Sequence, residues 1–194
     1  LDYQQIREES HICDNTDYAK VSESAEAKQY GERKKKLEFF QYKNPMCSGN
    51  HYGDSYKEYC SSSESLITPS LAAKFGENWL IGDNRGEWGG ELVVFADGQA
   101  VDTLLNENIE DVYVLGEYAY VITGLAHMSS NNGVIYRLKN TNPGYAIEPL
   151  YRLPGAPRTS WKINDESVLI NTASGSVIFH PQNGLEMAKC NASK

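Results

Sequence analysis

The spacing of apolar residues changes near residue 67. From Trp79 to Phe95 the order is Trp-Leu-Ile-Gly-Asp-Asn-Arg-Gly-Glu-Trp-Gly-Gly-Glu-Leu-Val-Val-Phe. Two compact apolar runs flank a polar, glycine-rich stretch, which predicts two strands and a loop between them. Before residue 67 the texture differs. Residues 1–16 are polar and irregular and predict a loosely held arm. Residues 17–42 carry Ala, Glu, Lys and Gln without proline and predict a helix, capped by Thr16 or Asp17 and interrupted at Gly31. Its apolar stripe is poor, and only Leu37, Phe39 and Phe40 predict a buried patch that anchors its end. Residues 44–65 hold Pro45, Gly49, Gly53, Cys47, Cys60 and a serine run, which predict a long loop closed by a staple.

The strand–loop–strand pattern recurs twice. Residues 90–95, 133–138 and 175–180 align, with leading glycines Gly90, Gly133 and Gly175 spaced 43 and 42 residues apart. Upstream of each lies a compact apolar run (78–83, 118–123, 167–172). A further run precedes each of these (71–75, 111–115, 160–163). Downstream, Asp97-Gly98, Pro143-Gly144 and Asn183-Gly184 are strong turn dipeptides that open a fourth segment (99–105, 145–153, 184–190). Each repeat reads as four antiparallel strands, here a, b, c and d. That spacing resembles the blades of the β-propeller class over roughly residues 67–190. The string Gly86-Glu87-Trp88-Gly89-Gly90 is also similar to one in bacterial propeller-like proteins. The expected fold is mainly β: a propeller-like array of about three four-stranded antiparallel blades. An N-terminal helical and loop segment (1–66) packs on the β domain (67–194). Three blades are fewer than the usual closed ring takes, so the N-terminal region either supplies strands, with residues 37–42 one candidate, or covers the open edge.

Charge narrows the partners. The 194 residues carry a net charge of −8, which disfavours nucleic acid because phosphate binding needs clustered Lys and Arg. The one basic run, Arg33 to Lys36, sits among acids and reads as a solvated face. Acidity would instead suit a basic protein partner. No apolar run reaches the length of a membrane span. The opening at Leu1 rather than Met fits a chain whose leader has been removed or left out.

Four cysteines, Cys13, Cys47, Cys60 and Cys190, allow three pairings. Cys47 with Cys60 would close the polar loop, and Cys13 with Cys190 would tie the ends together. Four reduced thiols or a metal site remain the alternatives. Disulfides would place the protein in the periplasm or outside the cell.

In blades of this kind the b–c and d–a connections emerge on one rim. The expected b–c connections are residues 83–89, 126–132 and 173–174, and the d–a connections are residues 106–108 and 154–158. One rim would then collect Asp83, Arg85, Glu87, Trp88, His127, Met128, Arg158 and, less directly, Trp161. Exposed Trp and Arg among polar groups compose an interaction hot spot. The plainer reading makes Trp88 a packing residue and Arg85 the partner of Glu87.

Asp83, Asn84 and Glu87 offer oxygen ligands for calcium but match no known loop spacing. His11, Cys13, Cys47, His51 and Cys60 fit no zinc finger. No nucleophile elbow, phosphate loop or dinucleotide fingerprint occurs, so no cofactor is expected. The composition points to a non-enzymatic exported protein that grips another protein, in the manner of an immunity protein or inhibitor of a bacterial toxin or hydrolase. The alternative is an envelope hydrolase acting on glycans or phosphoesters, with Asp83, Glu87 and His127 as acid/base candidates.

Overall fold

The computed structural model describes residues 37–52 and 55–188. Strands β1 (Tyr42–Tyr52) and β2 (Ser55–Ile67) form a two-stranded hairpin. The first four-stranded sheet holds β3 (Leu71–Phe75), β4 (Asn78–Asn84), β5 (Gly90–Ala96) and β6 (Gln99–Leu105). The second holds β7 (Ile109–Leu115), β8 (Tyr118–His127), β9 (Ser130–Asn140) and β10 (Tyr145–Arg152). The third holds β11 (Pro157–Asn164), β12 (Ser167–Thr172), β13 (Gly175–His180) and β14 (Gly184–Met187). Among the described residues every pairing is antiparallel between sequence neighbours, so these residues form a propeller-like array of three four-stranded blades beside the two-stranded hairpin.

The central strands of the first two blades are apolar on both faces because each of these blades lies between two packed layers. Side chains alternate across a strand, so Leu80, Leu92 and Val94 of the first blade face one way and Ile81, Val93 and Phe95 the other. The first set packs on Val112, Ala119, Val121, Val134, Tyr136 and Leu138 of the second blade. The opposite face of that blade presents Tyr120, Ile122 and Ile135 to Val168, Ile170, Val177, Phe179 and Leu185 of the third. Burying a side chain such as Leu or Phe contributes about 1.5–3 kcal/mol each, and these two interfaces bind the array together.

The spaced glycines mark where the chain crosses between blades. A Cβ on Gly90 would lie 2.2 Å from the Asp83 carbonyl oxygen and 2.7 Å from both Asn108 Cα and the Glu107 oxygen. A Cβ on Gly133 would press on Pro157, Gly155 and Leu153 in the next crossing. At Gly175 the backbone φ is 140°, in the region that favours glycine.

Residues at the base of the hairpin cap the outer face of the first blade. Leu37, Phe40, Tyr42 and Ile67 cover Ile81, Val93 and Phe95. This corrects the expected helix over 17–42 at its described end: residues 38–40 make a single 3-10 turn and the chain is strand from Tyr42. The start of that helix lies outside the described residues. Phe39, expected in the buried patch, is exposed, though its ring meets Phe40 and Phe95 edge-on. The expected loop over 44–65 is the hairpin. Residues 57–64 are exposed throughout, so this part of the ribbon carries no apolar alternation to betray a strand. Cys47 and Cys60 sit opposite each other in its register and are joined by a disulfide, with Cα atoms 4.0 Å apart. The second expected bridge, Cys13 with Cys190, lies outside the described residues. Among the described residues no helix is long and apolar enough to cross a membrane.

Candidate rim site

The connection after β4 is short and tied down at both ends. Asn84 accepts a hydrogen bond from the Gly86 amide through its side-chain oxygen (3.0 Å), and a 3-10 turn follows over Gly86–Trp88. The Arg85 amide donates to the Gly89 carbonyl (2.8 Å) and also to Asn108 Oδ1 (3.1 Å). Asn108 Nδ2 returns a bond to the Gly86 carbonyl (2.7 Å). Asn108, in the crossing to the second blade, thus clips this loop from beneath. Sequence reasoning placed it in a connection but gave it no role, because its two bonds go to backbone atoms that no motif encodes.

Arg85 turns inward. Its Nη1 meets Asp83 Oδ2 at 2.6 Å and Glu91 Oε1 at 3.2 Å. Asp83 is buried and Glu91 is fully so. The two acids are direct register partners across β4 and β5, and Coulomb repulsion between carboxylates held side by side needs a cation between them. Nε and Nη2 of Arg85 are also buried, with no hydrogen-bond acceptor among the described residues. Asn44 of β1 donates to Glu91 Oε2 and reaches Thr103 (3.3 Å). The Tyr42 hydroxyl is buried beside Glu91; burial, and then the charge of Glu91, push the phenol pKa well up. Arg85 is therefore a buried counter-ion that binds the hairpin side to the blade, not the exposed gripping residue or partner of Glu87 expected from sequence. Asp83, engaged by Arg85, is likewise not a free calcium ligand.

Glu87 and Trp88 point the other way. Glu87 Oε2 lies 3.2 Å from His127 Nε2, at the end of β8. This pair joins the rim loop of the first blade to that of the second. Trp88 is 68% exposed and Met128 is 94% exposed, each next to one member of the pair. The expected connection over 126–132 is mostly strand: β8 and β9 pair out to His127 and Ser130, leaving only Met128 and Ser129 as the tip. Met128 holds φ at 51° to turn it. His127 meets a carboxylate here. Arg158 belongs to β11 rather than to a connection, and is exposed. Among the described residues no ion pair or hydrogen bond joins its side chain to the other rim residues. Trp161 also lies in β11, opposite Leu169 within the third blade.

The thiols of Cys47 and Cys60 are spent in their bond, so they supply no zinc ligands although Glu58 lies close by. Ser174 accepts from Asn131 (2.9 Å), and His180 meets Glu186 (3.4 Å) at the blade's far end.

Two acids that the sequence reading passed over stand out at the start of β7. Asp111 accepts from Tyr113 (2.8 Å) and from Ser160 of β11 (3.2 Å), bridging two blades. Glu110, in the adjoining bulge, is reached by Asn84 at 3.3 Å. Burial, then the charge of Asp111, raise its pKa from 4.5 to about 7. A carboxyl with a higher pKa folded than unfolded opposes folding once it ionises. The penalty is absent below pH 4.5 and complete above pH 7, so this contribution to stability falls as pH rises between those values. Glu110→Gln is expected to gain about 1–3 kcal/mol at pH 8 and nothing at pH 4. Urea midpoints at the two pH values check this, and an equal gain at both would refute it.

No protein-family model matches this chain, and no curated protein is significantly similar to it.

Proposed function

We propose that this protein is a non-enzymatic binding module that grips another protein through the rim carrying Trp88 and Met128. The observation that carries this reading is the pairing of two exposed apolar side chains on adjacent rim loops, joined by Glu87 and His127. A large aromatic on a well-held loop with a polar surround is the make-up of an interface anchor. Asp83 and Arg85 serve this surface from within by fixing the loop's base, and Arg158 belongs to its outskirts. The net charge of −8 supports a basic partner. The Cys47–Cys60 disulfide supports an oxidising compartment, the periplasm or the exterior of a bacterial cell. On this reading the protein is an immunity protein or inhibitor that covers the active site of a bacterial toxin or hydrolase.

The test is capture of the partner with the wild-type chain, then titration of the purified partner against Trp88→Ala with Met128→Ala. Anchors of this kind each contribute about 2–4 kcal/mol, so the double variant is expected to bind at least 100-fold more weakly. Unchanged affinity would sink the rim reading. A second reading, an envelope hydrolase, draws on one observation: Glu110 keeps a pKa of about 7 beside Asp111, the range a general acid needs. That activity would rest on Glu110 rather than on Asp83 and Glu87, and would vanish in Glu110→Gln.

A further inference from the structure

Two aromatic rings of this chain carry cations of the chain itself. The Arg137 guanidinium lies over Tyr118, 5.2 Å from the ring centre, and its Nε donates to Glu148 (2.9 Å). Lys74 lies over Trp79 at 5.4 Å. The negative face of a ring attracts such a charge, and at Arg137 a carboxylate holds the guanidinium from the side. The rim presents a ring and a carboxylate of the same kind. Trp88 is 68% exposed, and Glu87 precedes it in the same 3-10 turn. Among the described residues no cation lies over Trp88. Glu87 Oε2 meets His127 Nε2, and among the described residues no hydrogen bond or ion pair takes up Glu87 Oε1. The surrounding charge also suits a cation. Residues 83–91 and 107–111, the loop and the crossing that clips it, hold Asp83, Glu87, Glu91, Glu107, Glu110 and Asp111 against Arg85. Acids gathered on one side of a protein raise the local concentration of positive groups.

We propose that the rim takes an arginine side chain of its partner, with the guanidinium stacked on Trp88 and donating to Glu87 Oε1. An apolar residue beside that arginine packs on Met128, which is 94% exposed at the neighbouring tip and whose flexible thioether adapts to the shape it meets. This rests on the rim being the binding surface and names what that surface recognises. Arginine suits the site better than lysine. Its flat, weakly hydrated guanidinium stacks on a ring and donates in its own plane at the same time, whereas a lysine ammonium is a compact, strongly hydrated charge.

The test titrates the full chain with acetyl-Leu-Arg-Leu-amide and with the same peptide carrying citrulline, the uncharged isostere, or lysine in place of arginine. NMR of the Trp88 indole N–H reports binding. The arginine peptide is expected to bind about tenfold more tightly than the citrulline peptide, with lysine between them. Glu87→Gln is expected to cut the tenfold preference to about threefold by weakening the arginine peptide alone. Absence of a shift with the arginine peptide, equal affinity for arginine and citrulline, or lysine binding as tightly as arginine would each overturn the proposal. So would a Glu87→Gln loss that is the same for all three peptides. The two readings fail separately. If Trp88→Ala with Met128→Ala loses the captured partner while the wild-type chain does not distinguish the peptides, the rim stands and the arginine assignment falls. Unchanged binding of the partner to that double variant removes the rim itself.

Discussion

Arg85→Leu is expected to lower the free energy of unfolding by about 3–5 kcal/mol, because it leaves two buried carboxylates without their cation. Asp83 and Glu91 are neighbours across the β4–β5 ladder, and Arg85 Nη1 reaches both, at 2.6 and 3.2 Å. Removing one partner of such a cluster costs far more than the cluster itself contributes, since the cost is the desolvation of what remains. Urea unfolding at pH 7 measures it. Combining Arg85→Leu with Asp83→Asn and Glu91→Gln removes the stranded charges, and is expected to recover most of the loss. A loss below about 1 kcal/mol for Arg85→Leu alone would show that the acids are compensated elsewhere.

The second large effect comes from the crossing glycine. Gly90→Ala places a methyl group 2.2 Å from the Asp83 carbonyl oxygen, and the nearest atoms are backbone on both sides. Neither the β4–β5 ladder nor the crossing to the second blade can yield without breaking hydrogen bonds. The expected cost is about 3 kcal/mol or more, a fall in Tm of roughly 6–12 °C for a chain of this size. Gly98→Ala is the control. Its Cβ would meet nothing within 4 Å, and only the φ of 80° resists, so about 1–2 kcal/mol is expected. Equal melting shifts for the two variants would mean that the crossing does not press on Gly90.

The repeat was readable because the fold imposes backbone demands at fixed intervals. Gly90 and Gly133 sit where a connection passes over strand c, and the b–c register slips by one in the third blade because its turn holds only two residues. Asp97 and Gly98 both hold positive φ, as do Gly144 and Gly184, so the turn dipeptides were dictated by geometry. What escaped was of two kinds. The hairpin β1–β2 is solvated along much of its length, so no hydrophobic period reveals it. The ends of β8 and β9 were hidden for the same reason, since the ladder continues past the blade through Ala126, His127 and Ser130.

The orientation of Arg85 also escaped, because an irregular loop has no period that assigns a side chain to inside or outside. One signal was present. Glu91 stands at the head of an otherwise apolar strand, and its register partner is Asp83; two opposed acids in a buried position require a nearby cation, and Arg85 is the one the loop supplies. The rim pair of Glu87 and His127 had no such signal, since it depends on how two separate blades are set against each other.

Asn108 holds the first rim loop through both halves of its amide, one bond to the Arg85 amide and one to the Gly86 carbonyl. The loop's conformational entropy is therefore surrendered when the chain folds rather than when a partner arrives. A surface that arrives already ordered loses little freedom on association, so the contacts that Trp88 makes would be offset mainly by the freezing of its own two torsions.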